Sequence, residues 1–411
     1  MITRRHLLKS MAVAAGFSLM PFGRKGWVLA APEAVSRRMI VVLMRGAVDG
    51  LSVVTPFMEP NYYQSRRSIA LAPPGQTDGL INLDGNFGLH PSLATVMPLW
   101  QNKSLAFIHA CGSPAETRSH FEAQDIMETA LLNTATAQQG WMNALAQAIP
   151  DTHASTRALS FGNTLPKIFT GRANVATVPS GITSNASNGA ENPRMQAAFE
   201  KLYSGHTELN GLYNEAISSR ETLMNDLQNE MAASSNGAPR GDQFVVECTK
   251  LGSMISRDQN IQLVFMDVGG WDTHINQGNA KGQLANRLSQ LGDGLAALTT
   301  GLGAQYQNTA ILVMSEFGRT VAENGNAGTD HGHGNVAWLM GGDVKGGKVW
   351  GRWPGLSQGQ LYQGRDVAVT TDFRSLIGAV LSQHFALENE QIGNVIPSYQ
   401  PDSGLQGIIA V

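Results

Sequence analysis

The sequence predicts an α/β fold with a mostly parallel central sheet. Three observations carry that prediction. Short apolar runs of strand length recur along the chain, amphipathic stretches of helical period lie between them, and Asp, Glu and His residues cluster where the runs end. A sheet covered on both faces needs strands that are apolar on both sides, so they read as unbroken runs. Strands alternating with helices join in parallel, because a parallel pair needs a long crossover and a helix supplies it.

The first run, 39-MIVVLM-44, holds three β-branched residues in a row and is expected to be a buried parallel strand. Similar runs are 105-LAFIHA-110, 261-IQLVFM-266, 309-TAILVM-314 and 335-NVAWLM-340. Helical patterns occupy 119-SHFEAQDIMETALL-132, 283-QLANRLSQLGDGLAALTTGL-302 and 372-DFRSLIGAVLSQHF-385. From about 180 to 245 the alternation breaks. The Ser/Asn/Gly-rich 180-SGITSNASNGAENP-193 reads as loop, 194–234 as one or two amphipathic helices, and 235-SNGAPRGD-242 as the return to the core. This segment is expected to be a helical cap inserted into one α/β domain, which covers the site and sets substrate choice.

Hydrophobic residues make up 42% and charged residues 15% of the 411, so apolar material for a core is ample. The 45 glycines imply many tight turns. Net charge is −3 with no basic block in the body, which points away from nucleic acid and anionic membrane surfaces. Cys111 and Cys248 lie far apart and read as two buried thiols, with a disulfide in an oxidising compartment as the alternative. No G-x-G-x-x-G follows the first run and no C-x-x-C occurs, so redox-cofactor chemistry has no motif to stand on.

The first 30 residues have the grammar of an export signal. Arg4-Arg5 sits in a charged start, 11-MAVAAGFSLMPF-22 is a short apolar run, and small residues surround 28-VLAA-31. Residues 1–30 are therefore expected to be a twin-arginine signal, read by the twin-arginine export machinery. Residues 31–411 are expected to be the exported domain, periplasmic or secreted. No later stretch reaches the ~18 apolar residues of a membrane span.

In open α/β sheets, ligands bind outside the carboxyl ends of the strands. After the first run come Arg45 and Asp49. After the third come Asp267, Asp272 and His274; after the fourth come Glu316 and Arg319. Just before the fifth stand Asp330, His331 and His333. Carboxylates and imidazoles brought to one rim are the ligand set of a divalent metal; mixed sets suit zinc, manganese or iron, and all-oxygen sets magnesium or calcium. Each cluster has a plainer alternative: Asp49 in a turn, Asp272 as a cap, Glu316 paired with Arg319, and 330–333 as a polar loop. After the second run, Ser113, Thr117 and Ser119 precede a helix starting near His120. Ser119 fits a capping box with Glu122, which leaves Thr117 free as a nucleophile or metal ligand. Arg118 and Arg45 are placed to hold substrate oxygens.

The strings LMRGAVDGLSVVTP, GLHPSL, GSPAETRSHFEAQD, GWDTH, MSEFGRT and GTDHGHGNVAWLMGGDVKGGKVWGRWPGL, with the leader, resemble the bacterial domain-of-unknown-function family numbered 1501. The resemblance runs from about Arg38 to Phe385. It implies membership of the alkaline-phosphatase and sulfatase superfamily, with a three-layer α/β/α sandwich, one or two metals, and cleavage of phosphate or sulfate esters of small molecules or glycans. By the same resemblance Asp49 is a first-strand metal ligand, Thr117 falls near the nucleophile position, and Ser119-His120 stands where phosphomutases have a Gly-His pair. Asp267 and Asp272 are metal-binding aspartates, and His333 is the late histidine ligand and catalytic partner. Two departures matter. Asp272-Thr273-His274 replaces a longer Asp-x-x-x-His spacing, and Glu316-Phe317 stands where Asp-His is usual, so His331 is the candidate for the lost imidazole. The string 111-CGSPAETR-118 only echoes a sulfatase signature. The function expected is an exported metal-dependent hydrolase, and the alternative is a non-catalytic binding or assembly protein on the same scaffold.

Overall fold

The first apolar run becomes the central strand. In this computed structural model, which describes residues 36–150, 157–162, 164–178 and 232–410, strand β1 (Arg38–Met44) is buried along its whole length. The predicted leader, residues 1–30, and residues 180–231 of the predicted helical insertion lie outside the described residues. The further strands of the main sheet are β2 (Leu105–Gly112), β3 (Ala158–Phe161), β4 (Ala176–Val178), β5 (Leu263–Val268), β6 (Thr309–Ser315), β7 (Asn335–Met340), β8 (Lys348–Trp350) and β9 (Thr371–Asp372). The order is β8-β2-β7-β6-β1-β5-β3-β4, with β9 sharing the outer edge of β2. β1 runs parallel to both neighbours, with Met39 opposite Leu263 and Ala310.

All the pairings of this sheet are parallel except those of β7, which runs against both β2 and β6. The sequence places 335–340 as one more parallel strand, and the reversal has a simple cause. No helix lies between β6 and β7 to carry the chain back to the other edge, so the chain returns directly. The loop 316–334 therefore starts and ends on the same rim as the carboxyl ends of the parallel strands.

Alternation along each strand feeds two cores. Met39, Val41 and Leu43 face helices α1 (His120–Thr129), α2 (Trp141–Ala148), α5 (Phe373–Phe385) and α6 (Asn389–Val395). Ile40, Val42 and Met44 face α3 (Gly241–Arg257), α4 (Gln283–Leu302) and the segment 91–101. This is the expected three-layer α/β/α arrangement. Each buried Val, Ile or Leu contributes roughly 1.5–3 kcal/mol. α3 lies where the sequence reading places no helix beyond the loop 235–242, yet Phe244, Cys248, Leu251 and Ile255 form a buried helical stripe. β5 begins two residues later than the apolar run, which carries Asp267 into the strand. Cys111 and Cys248 are both buried and free. No helix among the described residues is long and apolar enough to cross a membrane.

α3 and α4 meet backbone to backbone at Gly252 and Gly301. A Cβ on Gly252 would stand 2.8 Å from Gly301 Cα. Gly252→Val is expected to push the helices apart and to lower stability by about 1–3 kcal/mol in urea unfolding, the usual cost of overpacking. An unchanged midpoint would show that the contact is not tight.

Candidate metal centre

The carboxyl rim gathers five segments. α1 begins at His120, a few residues past β2. Trp271, buried behind β5, donates from Nε1 to the Val268 carbonyl at 2.9 Å and so fixes the turn that presents Asp272 and His274. Glu316 follows β6 directly. The loop then folds on itself: Gly318 N–H donates to the His333 carbonyl at 2.9 Å, and Gly332 N–H to the Gly318 carbonyl at 2.8 Å. That clasp brings Asp330 and His331 back to the rim, beside the loop that follows β1.

Three imidazoles meet there, each held from behind at Nδ1. His120 Nδ1 lies 2.8 Å from Glu316 Oε1, His274 Nδ1 3.1 Å from Asp330 Oδ1, and His331 Nδ1 3.0 Å from the Arg118 carbonyl. A carbonyl and an ionised carboxylate only accept, so each Nδ1 carries its proton and a neutral ring keeps its lone pair on Nε2. These Nε2 atoms face one another: His331 Nε2 is 2.9 Å from that of His120 and 3.0 Å from that of His274. Asp272 completes the group. Its Oδ1 lies 3.0 Å from His274 Nε2 and accepts a short hydrogen bond from Arg319 Nη2. Its Oδ2 lies 3.5 Å from His120 Nε2, is buried, and makes no hydrogen bond.

Electrostatics follow from that geometry. Burial would raise the Asp272 carboxyl, but the close approach of the three imidazoles and the charge of Arg319 hold it far below the usual carboxylate range. Burial opposes charge on His120, yet Asp272 and Glu316 outweigh it and raise its pKa. His274 is pushed up to about 9, because hydrogen bonds to Asp272 and Asp330 overcome burial. His331 is lowered, by burial first and then by the charges of Arg319 and His120. Facing lone pairs repel unless a proton or a cation lies between them. His120, Asp272 and His331 offer ligand atoms all within 4.8 Å of one another and form a group that can hold a metal ion. Tetrahedral zinc–imidazole bonds of ~2.0–2.1 Å put donor atoms ~3.3 Å apart, so the observed 2.9 Å between His120 and His331 needs to widen only slightly. A carboxylate or carbonyl behind each Nδ1 is the outer-shell support that orients metal-binding histidines.

Of the residues predicted for the site, the structure brings Asp272, His274 and His331 to this cluster. Asp330 and Glu316 stand behind it as acceptors for imidazole N–H groups. Glu316 also accepts from Gly46 N–H at 2.8 Å and Gln124 at 3.0 Å, and takes no partner in Arg319. Asp49 is elsewhere: Arg66 grips both of its oxygens, at 2.5 and 2.9 Å, with Ser52 and Gln277 beside it. Asp267 sits 2.6 Å from Arg45 Nε, and burial pushes its carboxyl pKa up against that pairing. Arg45 is fully engaged with Asp267, Gln124 and Glu128. His333 stacks on Tyr362 at 4.1 Å, its pKa lowered by burial. Arg118 reaches Gln363 at 2.7 Å and Asp366 at 3.1 Å through its side chain and touches the cluster through its carbonyl. The Thr117 hydroxyl donates to Glu122 at 2.7 Å and accepts from Ser119 N–H at 3.2 Å. Ser119 itself makes no side-chain cap bond, so the expected capping box is not formed. His120 is the ligand candidate that the sequence reading left out of the metal set. Its signal was a histidine opening the helix that follows a rim-ending strand.

The family model described as "Protein of unknown function (DUF1501)" matches residues 36–397. Comparison with curated proteins gives no match. Among solved structures, a protein in the alkaline phosphatase superfamily from Vibrio parahaemolyticus is 9% identical, with 85% of this chain and 66% of that chain covered and a TM-score of 0.41. This chain thus spans just under two thirds of that protein. The C-terminal periplasmic domain of EcEptC from Escherichia coli is 10% identical, with 90% and 89% covered and a TM-score of 0.42. Ps i-CgsB in complex with k-i-k-neocarrahexaose is 12% identical, with 87% and 74% covered and a TM-score of 0.42.

The Asp49–Arg66 pair separates a structural carboxylate from a ligand. Asp49→Ala strands a buried guanidinium and is expected to cost about 3–5 kcal/mol, while metal content per folded chain stays at the wild-type level. Arg66 holds the Asp49 carboxyl below its ordinary value, against burial. The pair's contribution is therefore full above the unfolded carboxylate pKa of ~3.9 and is lost as pH falls through the folded pKa. The stability curves of wild type and variant should converge in acid. Loss of metal at unchanged stability would make Asp49 a ligand instead.

Proposed function

The chain belongs to the DUF1501 family of proteins of unknown function, and from that premise we propose that it is an exported metal-dependent hydrolase of phosphate or sulfate esters. The observation that supports this reading is the gathering of His120, His331 and a carboxylate oxygen of Asp272, with ligand atoms all within 4.8 Å of one another. A divalent metal there would act as a Lewis acid toward the ester oxygens and offset the charge that builds on them. Nitrogen donors with one carboxylate favour zinc, manganese or iron over magnesium or calcium.

The chain's own residues take distinct parts. Glu316 and the Arg118 carbonyl keep protons on Nδ1 of His120 and His331 and so aim both Nε2 atoms inward. Arg319 holds Asp272 Oδ1 and leaves Oδ2 facing the rings. With neutral imidazoles, three carboxylates (Asp272, Glu316, Asp330) against one guanidinium (Arg319) leave two negative charges, the complement of one divalent ion. His274, backed by Asp330, is the proton carrier, taking a proton from water and returning it to the leaving oxygen at Nε2. The Thr117 hydroxyl is turned to its helix, so water is the nucleophile this geometry favours. Arg118 and Arg365 flank His331, the first through its carbonyl and the second by donating to the His331 carbonyl at 2.7 Å. Both are partly exposed cations suited to an anionic ester. The leader motif supports export to the periplasm or beyond.

One observation favours the second reading, a non-catalytic exported protein that binds metal on the same scaffold. Thr117 and Arg45, the hydroxyl and cation placed for chemistry, are both committed to partners within the fold.

Metal analysis by mass spectrometry, beside hydrolysis of p-nitrophenyl phosphate and sulfate, decides between them. The wild type is expected to carry near-stoichiometric metal that His120→Ala and His331→Ala lose. Glu316→Gln should weaken metal affinity about 10–100-fold. His274→Ala should keep the metal and lower kcat by about 10²–10⁴. Metal without turnover of any ester would favour the binding protein, and a wild type without metal would sink both. Replacing Arg4 and Arg5 together by Lys should leave the precursor in the cytoplasm. Continued export would refute the twin-arginine route.

A further inference from the structure

Helix α1 carries a polar stripe into the core. His120, Gln124 and Glu128 stand at four-residue spacing on one face of the helix, and all three are buried. Buried polar groups are costly unless each finds a partner. His120 opens the stripe at the metal centre. Glu128 closes it, accepting from Arg45 Nη2 at 2.8 Å and from Ile168 N–H at 2.9 Å. Between them, both ends of the Gln124 amide are engaged. Oε1 accepts from Arg45 Nη1 at 2.8 Å, and Nε2 donates to Glu316 Oε1 at 3.0 Å and to the Ser234 carbonyl at 2.7 Å. An amide turned end for end keeps its shape, so its neighbours decide which way it faces. Here all three agree. A guanidinium only donates, while a carboxylate and a carbonyl only accept. The reversed amide would set donor against donor at Arg45 and oxygen against oxygen at Glu316 and Ser234.

Arg45 is itself fixed, by Asp267 at 2.6 Å on Nε and by Glu128 on Nη2. Those two carboxylates already more than match its charge, so its bond to Gln124 serves orientation and not neutrality. Glu316 stands at the other end of the amide. Its Oε1 accepts from Gln124, from Gly46 N–H at 2.8 Å and from His120 Nδ1 at 2.8 Å, and its Oε2 lies 3.0 Å from Ser315 Oγ. The Glu316 side chain is fully buried, so these donors set its position. Without the Gln124 donor the carboxylate loses one of the groups that hold Oε1 in place, and His120 loses a fixed acceptor behind Nδ1.

We propose that Gln124, turned by Arg45, is a positioning residue for the metal centre: it holds Glu316 against His120 Nδ1 and thereby sets the affinity of the centre for a divalent metal. The inference rests on the metal-binding role proposed for His120 and needs no turnover. A direct outer-shell partner of a metal-binding histidine carries about 10–100-fold in affinity. Gln124 acts one hydrogen bond further out.

Zinc affinity of the full chain, measured by competition with a chelating indicator, tests it. Gln124→Met keeps the length of the side chain and removes both ends of the amide. It is expected to weaken zinc binding about 3–10-fold, less than the loss in Glu316→Gln. Gln124→Met combined with Glu316→Ala should bind zinc within about twofold of Glu316→Ala alone, because a residue that acts through Glu316 then has nothing left to position. Additive losses would show that Gln124 only supports packing, and would overturn the proposal. Glu128→Gln loosens the same buried network on its far side and leaves Gln124 bonded to Glu316. Its zinc affinity should stay within about twofold of wild type even where its melting temperature falls. If Glu316→Ala fails to fold, Gln124→Met beside Glu128→Gln still decides the matter, since equal losses of affinity would overturn the proposal. Wild-type affinity in Gln124→Met would also overturn it and leave the hydrolase reading in place. Gln124-dependent affinity in a protein that hydrolyses no ester would uphold the positioning role alone. A wild type that binds no zinc or other divalent metal would end both.

Discussion

One buried guanidinium holds the rim together. Arg319 is almost wholly buried, and its donors tie three strand-end segments to its own. Nε donates to the Ala47 carbonyl at 2.6 Å and Nη2 to the Gly46 carbonyl at 2.6 Å, both after β1. Nη2 also bonds Asp272 after β5, and Nη1 the Thr329 carbonyl at 3.1 Å ahead of β7. Arg319 itself follows β6. A lysine could not replace it, since a single ammonium cannot span those directions. Buried charge is expensive, and here the cost is met by filling each donor and by pairing with Asp272. The position of every imidazole in the cluster depends on loops that this side chain ties.

The reversal of β7 matters for the same reason. In a purely parallel sheet the chain after β6 would leave the rim through a helix and come back at the opposite edge. Here residues 316–334 remain on one side, and Glu316, Arg319, Asp330 and His331 work within a single loop. The clasp of Gly318 with Gly332 and His333 sets which histidine points inward. His331 joins the cluster, while His333 turns to the Tyr362 ring.

Much of the fold was legible because burial on two faces leaves a strong mark: the five apolar runs are all strands, four of them shifted or extended by one or two residues at an end. The rim was legible for a topological reason, since strand ends collect polar residues where a sheet binds ligands. Direction failed at β7, because an apolar run reads the same in either sense. Roles within the site were less legible. Asp49 looked like Asp272, each a carboxylate just past a strand, but Arg66 lies seventeen residues on and captures Asp49, whereas Arg319 takes one oxygen of Asp272 and leaves the other free. Whether a carboxylate touches a metal or supports a histidine is set by about 3 Å of tertiary placement, below the resolution of any spacing rule. His120 escaped because it stands alone among apolar and acidic neighbours, without the histidine density that marks 330–333.

The three Nδ1 contacts explain why the cluster points to a cation rather than to a plain hydrogen-bond network. A network of histidines relaxes by alternating donors and acceptors, each ring giving from one nitrogen and receiving at the other. That freedom is absent here, since every Nδ1 is pinned to a group that only accepts, and the Nε2 atoms meet as like poles. Extra protons could separate them, and the raised pKa values of His120 and His274 mark where such protons would sit. His331 resists that solution, because burial first, and then the charges of Arg319 and His120, lower its pKa. A divalent ion would satisfy the lone pairs of His120 and His331 together, take up the idle oxygen of Asp272, and release the protons it replaces. The pinning of each Nδ1 is what would hold the rings ready for a metal.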